Sequence, residues 1–312
     1  MNSVRAREKT LKYLVHIRPN FRADNNVHTA AGTILKLDLV LTCAHCVQVR
    51  GKDLEDLTIK AGTKHLNDGE NMQIIYLNRE ELQGAIIPHH DYNPLDNSDS
   101  FDVALIRLPA SKKFEYDAQH VVPANLLTRD MGIPDDYVRC VVQGWGESER
   151  GRYYDDFNDE FYMAFVDALD PDQAKHGEMN LLEKRGLLFR FGCRQGQCAS
   201  AGKGDSGAPI VCALRANEDP MQNGKVFAVA ASVSRDVSRL GTPAGHTTGN
   251  DVREIEEWIR GHTGESARPA QQKMARRARR AVEDSSATTV IIATIVIAVA
   301  VACLIARWFG YL

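Results

Sequence analysis

The sequence predicts an all-β fold assembled from many short strands. Short apolar runs recur along residues 12–262, among them Tyr13-Leu14-Val15, Leu39-Val40-Leu41, Val103-Ala104-Leu105-Ile106, Cys140-Val141-Val142 and Val226-Phe227-Ala228-Val229. Each is bounded by Gly, Pro, Asn or Asp, the punctuation of strands joined by turns. Helix signals are confined to two short segments of this body. Asp170-Pro171-Asp172-Gln173 offers an N-cap, a proline at the first helical position and a Gln to close a capping box. Asp251-Val252-Arg253-Glu254 leads in the same way into Ile255, Trp258 and Ile259, whose spacing is helical.

Size and composition set bounds. The chain has 312 residues, enough for one large core or two medium ones. Hydrophobic residues make up 44% and charged residues 25%, and the net charge is −3, so nucleic acid is not an expected partner. The segment before Pro19 is charged and lacks an apolar core, so it does not read as a secretory signal.

The C-terminal region departs from the body. Residues 263–288 are polar and carry Lys273, Arg276, Arg277, Arg279 and Arg280, the pattern of a basic linker. Residues 289–307 are predicted to form a single transmembrane helix, because no charged residue occurs from Thr288 to Ala306, a length that spans a bilayer. Residues 308–312 are a short tail, with Trp308 and Tyr311 suited to a membrane interface. Five basic residues on one side against Arg307 on the other predict that the body of the chain faces the cytosol, with membrane lipid as a partner.

Three segments carry chemistry. Leu41-Thr42-Cys43-Ala44-His45-Cys46 puts a histidine at the end of an apolar strand. Phe101-Asp102-Val103-Ala104-Leu105-Ile106 puts an aspartate at the head of another. Gly204-Asp205-Ser206-Gly207-Ala208-Pro209 puts a serine in a glycine turn. A serine hydroxyl is a weak nucleophile until an imidazole takes its proton. The imidazole needs a buried carboxylate to fix its tautomer. A Gly-x-Ser turn can aim the amides of Gly204 and Ser206 at one oxyanion. His45, Asp102 and Ser206 are therefore the candidate catalytic residues.

In order and in flanking residues these motifs resemble the chymotrypsin–trypsin family of serine proteases, over most of residues 11–262. His89-His90-Asp91-Tyr92-Asn93-Pro94, Cys140-Val141-Val142-Gln143-Gly144-Trp145-Gly146 and the terminal Trp258-Ile259 extend the likeness. The resemblance implies two six-stranded antiparallel β-barrels, at about residues 12–125 and 126–262, followed by a C-terminal helix. It implies hydrolysis of protein or peptide substrates with no cofactor. It also implies a disulfide between Cys140 and Cys212 if the compartment is oxidising. Ser200 is expected on the floor of the pocket for the residue before the scissile bond, with Ser232, Val233 and Ser234 on its wall and Lys203 at its rim. That neutral floor predicts a neutral apolar P1 residue. The competing reading is a catalytically silent protease fold that serves as a binding or scaffold protein at a membrane.

The chain also departs from the family pattern. Cys46 lacks its usual partner, since no cysteine occurs near residues 29–31, and Cys43 is an extra thiol beside His45. Cys43-x-x-Cys46 invites a metal or redox role, but with His45 needed for catalysis no metal site is expected. No Ile-Val-Gly-Gly-like start occurs, so Asp205 is expected to be held by a local donor or by the chain's own N-terminal amine, with no activating cut.

Overall fold

The computed structural model describes residues 4–5, 10–67, 69–95, 101–131, 140–146, 162–168, 187–191, 193–194, 197–198, 201–215, 218–234 and 246–264. The expected helix after Asp170, the expected transmembrane segment 289–307 and the tail 308–312 lie outside these residues, as does the linker beyond Gly264. Among the described residues, no helix is long and apolar enough to cross a membrane.

The chain divides into Met1–Ile259 and Arg260–Leu312. In the first part, strands follow as β1 (Val4–Arg5), β2 (Leu14–Phe21), β3 (Ala30–Lys36), β4 (Leu39–Thr42), β5 (Leu54–Ala61), β6 (Gln73–Leu77), β7 (Ile86–Pro88) and β8 (Ala104–Arg107). They continue as β9 (Cys140–Gly144), β10 (Tyr162–Ala168), β11 (Leu187–Phe191), β12 (Cys193–Arg194), β13 (Gln197–Cys198), β14 (Pro209–Cys212), β15 (Lys225–Ser234) and β16 (His246–Asp251). Helical turns are α1 (Ala44–Val47), α2 (Arg79–Leu82) and α3 (Pro220–Asn223), before the terminal α4 (Glu256–Thr263). In the second part, Thr263 Oγ1 donates to the Arg260 carbonyl at the end of α4.

Two large antiparallel sheets result among the described residues, each of seven segments where six strands were expected, and β12 pairs with β13 in a separate two-stranded sheet. The first runs β6-β5-β2-β3-β4-β8-β7. Its seventh segment has a local cause. Asn78 caps α2 by accepting from the Glu81 amide while the Glu81 carboxylate accepts from the Asn78 amide, a reciprocal box that stops β6. After this turn β7 pairs with β8, at the opposite edge from β6. The second sheet runs β1-β10-β11-β16-β15-β14-β9, and β9 also pairs with β10. Six of its strands thus close on themselves, and β1 is an added segment at β10.

The core explains the continuous apolar runs. Strand β4 is buried on both faces. Leu39 and Leu41 join the cluster that reaches the second sheet through Val142, Trp145, Ile210 and Val229. Val40 points the other way, with Val15, Ile17, Ile59, Leu77 and Ile106. Alternate residues of one strand so serve two cores, as the period-2 geometry of a strand requires.

Asp251 does not cap the terminal helix directly. Its carboxylate accepts from the Arg253 amide and pairs with the Arg253 guanidinium, and the helix begins at Glu256. An internal ion pair outcompetes the capping role that its spacing suggests.

His16 in β2 is a buried titratable group. Nε2 lies 2.6 Å from Thr29 Oγ1, while Nδ1 finds no partner among the described residues. Burial, then the positive charges of Lys60 and Arg18, lowers its pKa from 6.5 to about 3. A histidine of the unfolded chain protonates near 6.5, so between these values the unfolded state binds the extra proton. Stability therefore falls as pH falls through this window, by at most about 1.4 kcal/mol per pH unit for one proton. Urea unfolding of wild type and His16→Gln between pH 6.5 and 4 should show the shallower loss in the variant. Equal slopes would exclude His16 as a source of acid sensitivity.

Candidate active site

The strand pairing creates the site. Strands β4 and β8 run antiparallel with Thr42 opposite Ala104, so the end of one adjoins the start of the other. His45 follows the first and Asp102 precedes the second. The Asp102 carboxylate takes two hydrogen bonds from this neighbour: the His45 amide donates to Oδ1 at 2.8 Å, and ring Nδ1 lies 2.5 Å from Oδ2. A carboxylate only accepts, so Nδ1 carries the proton and Nε2 of the neutral ring keeps its lone pair. The Asp102 side chain is 5% exposed and that of His45 44%. The carboxylate is shielded, and the imidazole is partly open to solvent.

The aspartate is held from behind. Phe101 has φ 53°, a left-handed conformation uncommon for a bulky residue. The Val103 amide donates to the Phe101 carbonyl across Asp102, and the His89 amide to the Val103 carbonyl. The Phe101 ring stacks on the His89 imidazole at 4.6 Å, and His89 in turn meets Trp258 at 5.0 Å. Burial lowers the pKa of His89, followed by the charge of His90. Asn250 of β16 donates from Nδ2 to the Asp102 carbonyl at 3.4 Å, tying this turn to the second sheet.

Ser206 lies just ahead of β14. Its carbonyl accepts from the Ala31 amide at 2.8 Å, and the Ala31 carbonyl accepts from Thr42 Oγ1 at 2.7 Å. Thr42 ends β4, so Ala31 links the serine turn to the histidine segment. Gly207 has φ 85°, and a Cβ there would lie 2.1 Å from the Ala31 carbonyl oxygen and 2.4 Å from Thr42 Oγ1. The seam closes only over glycine. Gly204 has φ 97° and packs against Thr29. Ser206 Oγ donates to the Ala231 carbonyl at 3.2 Å, where the pairing of β15 with β16 shifts register between Ala230 and Val233.

Asp205 is held by local donors. Its Oδ1 accepts from the Gly146 amide at 2.8 Å and its Oδ2 from the Gly202 amide at 2.7 Å. A Cβ at Gly144 or Gly146 would fall 2.2 or 2.3 Å from this carboxylate. The Gly144-Trp145-Gly146 motif is thus a cradle for Asp205, a role that its spacing alone does not reveal.

The remaining sequence candidates distribute as follows. Lys203 is exposed beside the turn. Ser200 lies outside the described residues; Ser232, Val233 and Ser234 belong to β15, but their side chains lie outside the description. Cys140 and Cys212 are cross-strand partners on β9 and β14 and are joined by a disulfide. Cys43, read from sequence as an extra thiol, is bonded to Cys46.

Comparison with known proteins places this architecture. The trypsin family profile matches residues 7–249. Trypsin epsilon of Drosophila erecta is 26% identical over 184 residues, 59% of this chain and 63% of that protein. Coagulation factor XII of Bos taurus is 27% identical over 239 residues, 76% of this chain and 36% of the longer protein. This chain therefore spans less than two thirds of either relative. Granzyme M of Rattus norvegicus is 24% identical over 249 residues, covering 78% of this chain and 84% of that one. A solved structure described as "Structure of GrC" superposes with a TM-score of 0.58 over 81% of this chain and 95% of its own, a likeness of fold at 21% identity. With the family profile matching from residue 7 to residue 249, over two sheets that meet at the His45, Asp102 and Ser206 segments, the chain belongs to the trypsin family.

Proposed function

We propose that the chain is a serine endopeptidase that cleaves peptide bonds through His45, Asp102 and Ser206. One observation carries the reading: the Nδ1–H of a half-exposed His45 is committed to a buried Asp102, so Nε2 is left as a base beside the strand end to which the Ser206 turn is joined. In the reaction, Ser206 Oγ turns from the Ala231 carbonyl toward Nε2, gives up its proton and attacks the scissile carbonyl. The amides of Gly204 and Ser206 receive the oxyanion, each such donor contributing roughly 3–4 kcal/mol to the barrier reduction. Nε2–H then protonates the leaving amine. Water, deprotonated in turn by Nε2, releases the acyl group from Ser206.

A neutral apolar P1 residue fits the neutral hydroxyl of Ser200 and the apolar or hydroxyl character of Ser232, Val233 and Ser234. Lys203 at the rim favours acidic substrate residues nearby. With Asp205 satisfied by backbone amides, the turn needs no newly cut amine to form its contacts.

Intact purified chain, its N-terminus read by mass spectrometry, should cleave a peptide library after Phe, Leu or Met and should label at Ser206 with a fluorophosphonate. Ser206→Ala and His45→Ala should each lose roughly a million-fold in kcat. Asp102→Asn should lose about ten-thousand-fold while folding normally. Full activity of Ser206→Ala would sink the assignment, and a wild type that neither cleaves nor labels would favour the scaffold reading. Cleavage confined to sites after Arg would overturn the P1 reading alone.

The protease domain is membrane-attached through residues 289–307, with the domain on the cytosolic face. Support comes from the uncharged run and from Lys273, Arg276, Arg277, Arg279 and Arg280 on its domain side against Arg307 beyond it. Added protease should digest the domain on intact organelles. Its protection inside sealed vesicles would reverse the orientation, and recovery in a carbonate-washed supernatant would remove the anchor.

A further inference from the structure

The short helix α1 brings two cysteine side chains, Cys43 and Cys46, together on His45. Cys43 occupies the N-cap and Cys46 the third helical position, one turn apart on the same face, with Cα atoms 5.4 Å apart. Both sulfurs face the one ring nitrogen that Asp102 does not engage: His45 Nε2 lies 3.9 Å from Cys43 Sγ and 3.7 Å from Cys46 Sγ. The ligand atoms of Cys43, His45 and Cys46 all lie within 4.8 Å of one another.

In the disulfide form the sulfur-to-nitrogen distances are already near those of a zinc site, and reduction has only to part the two sulfurs to about 3.8 Å, the spacing of two tetrahedral thiolate ligands at about 2.3 Å. A tetrahedral zinc ion with Zn–S of about 2.3 Å and Zn–N of about 2.0 Å sets its nitrogen and sulfur ligands about 3.5 Å apart. The histidine is also oriented as a ligand. Its Nδ1–H is anchored on the Asp102 carboxylate, the arrangement that fixes the tautomer and strengthens Nε2 as a donor. The cysteines are buried and the histidine is half exposed, so the imidazole side is the open approach to the sulfurs.

We propose that Cys43, Cys46 and His45 form a redox-gated zinc site that switches the protease off. The regulatory half of this proposal rests on the function argued above; the metal half does not. In the disulfide form the sulfurs are bonded to each other and hold no metal against Nε2. A dithiol reductant opens the bond: its own two sulfurs close into a disulfide, and Cys43 and Cys46 become thiols. Zn²⁺ then displaces the two thiol protons to form two Zn–S bonds and accepts the Nε2 lone pair. With that lone pair committed, His45 cannot take the Ser206 proton. A disulfide oxidant such as oxidised glutathione takes the two electrons, leaving as two thiols while Cys43 and Cys46 re-form their bond and the ion is released; a stronger chelator removes the ion without changing the thiols.

The test compares full-length wild type with Cys43→Ala/Cys46→Ala and with Cys46→Ala alone, each reduced with dithiothreitol, desalted without oxygen and titrated with Co²⁺ or Zn²⁺. Reduced wild type should bind one more ion per chain than either variant, with thiolate-to-cobalt charge-transfer absorption that both variants lack. Zinc should lower its hydrolysis by at least about a hundredfold, the lower range of what a positioned base contributes, with recovery on chelation. Oxidised wild type and the double variant should keep their activity in zinc. Equal cobalt spectra in reduced wild type and Cys46→Ala would overturn the metal site. Bound metal at the site with undiminished hydrolysis would overturn the switch. If no form hydrolyses peptide or labels at Ser206, the protease reading fails, and the cobalt spectrum still decides the metal site.

Discussion

The structure turns on one buried carboxylate. Asp102 is withdrawn from water, and a charge so placed is costly unless its oxygens are paired. Both donors come from one residue, the amide and the ring of His45. This arrangement constrains the first sheet. Strands β4 and β8 must end in register, the helical turn α1 must start at Ala44, and Phe101 must take a left-handed backbone to turn the carboxylate inward. Such strain persists only where the surroundings over-determine it. Here the stack of Phe101, His89 and Trp258 does so.

The same economy governs the seam between the sheets. Ala31 spends its amide on the Ser206 carbonyl and its own carbonyl on Thr42 Oγ1, so one residue of β3 orders the ends of three segments. No side chain larger than hydrogen fits at Gly207, because the space a Cβ would fill is already taken by these partners. On the other side, Asn250 reaches the Asp102 carbonyl from the second sheet. The candidate residues are thus aligned through hydrogen bonds to main-chain carbonyls, one donated by a backbone amide and two by the short side chains of Thr42 and Asn250.

How much of this was legible follows from the range of each interaction. The all-β character was legible because apolar runs bounded by turn residues report burial directly. Strand β4 reads as a continuous run because both its faces are buried, Leu41 toward one core and Val40 toward the other. The order of His45, Asp102 and Ser206 and their flanking residues singled these positions out, and the structure joins the first two directly. The six-strand count for each sheet was not legible as seven segments, since the Asn78–Glu81 box that divides β6 from β7 is a local competition between cap and strand. The Cys43–Cys46 bond was missed because a two-residue spacer does not reveal whether the backbone is extended or helical. Only the turn at α1 brings the two Cα atoms to 5.4 Å. The partners of Asp205 were equally hidden: backbone amides carry no sequence signature beyond the glycines that let them approach.

Those glycines bear on how the serine turn is formed. A carboxylate inside a turn must be neutralised by a cation or solvated by amides. In this chain the Gly146 and Gly202 amides serve, and Gly144 adds the space that a side chain would deny. Two amides at 2.8 and 2.7 Å hold both oxygens, so the carboxylate cannot rotate without losing a bond. Asp205 is the residue between Gly204 and Ser206, and fixing its side chain fixes the direction in which the neighbouring amides point. The local cradle and the Ala31 link act on opposite sides of Ser206, one through the preceding side chain and one through the serine's own carbonyl. Together they fix the main chain on both sides of Ser206, whose hydroxyl donates to the Ala231 carbonyl.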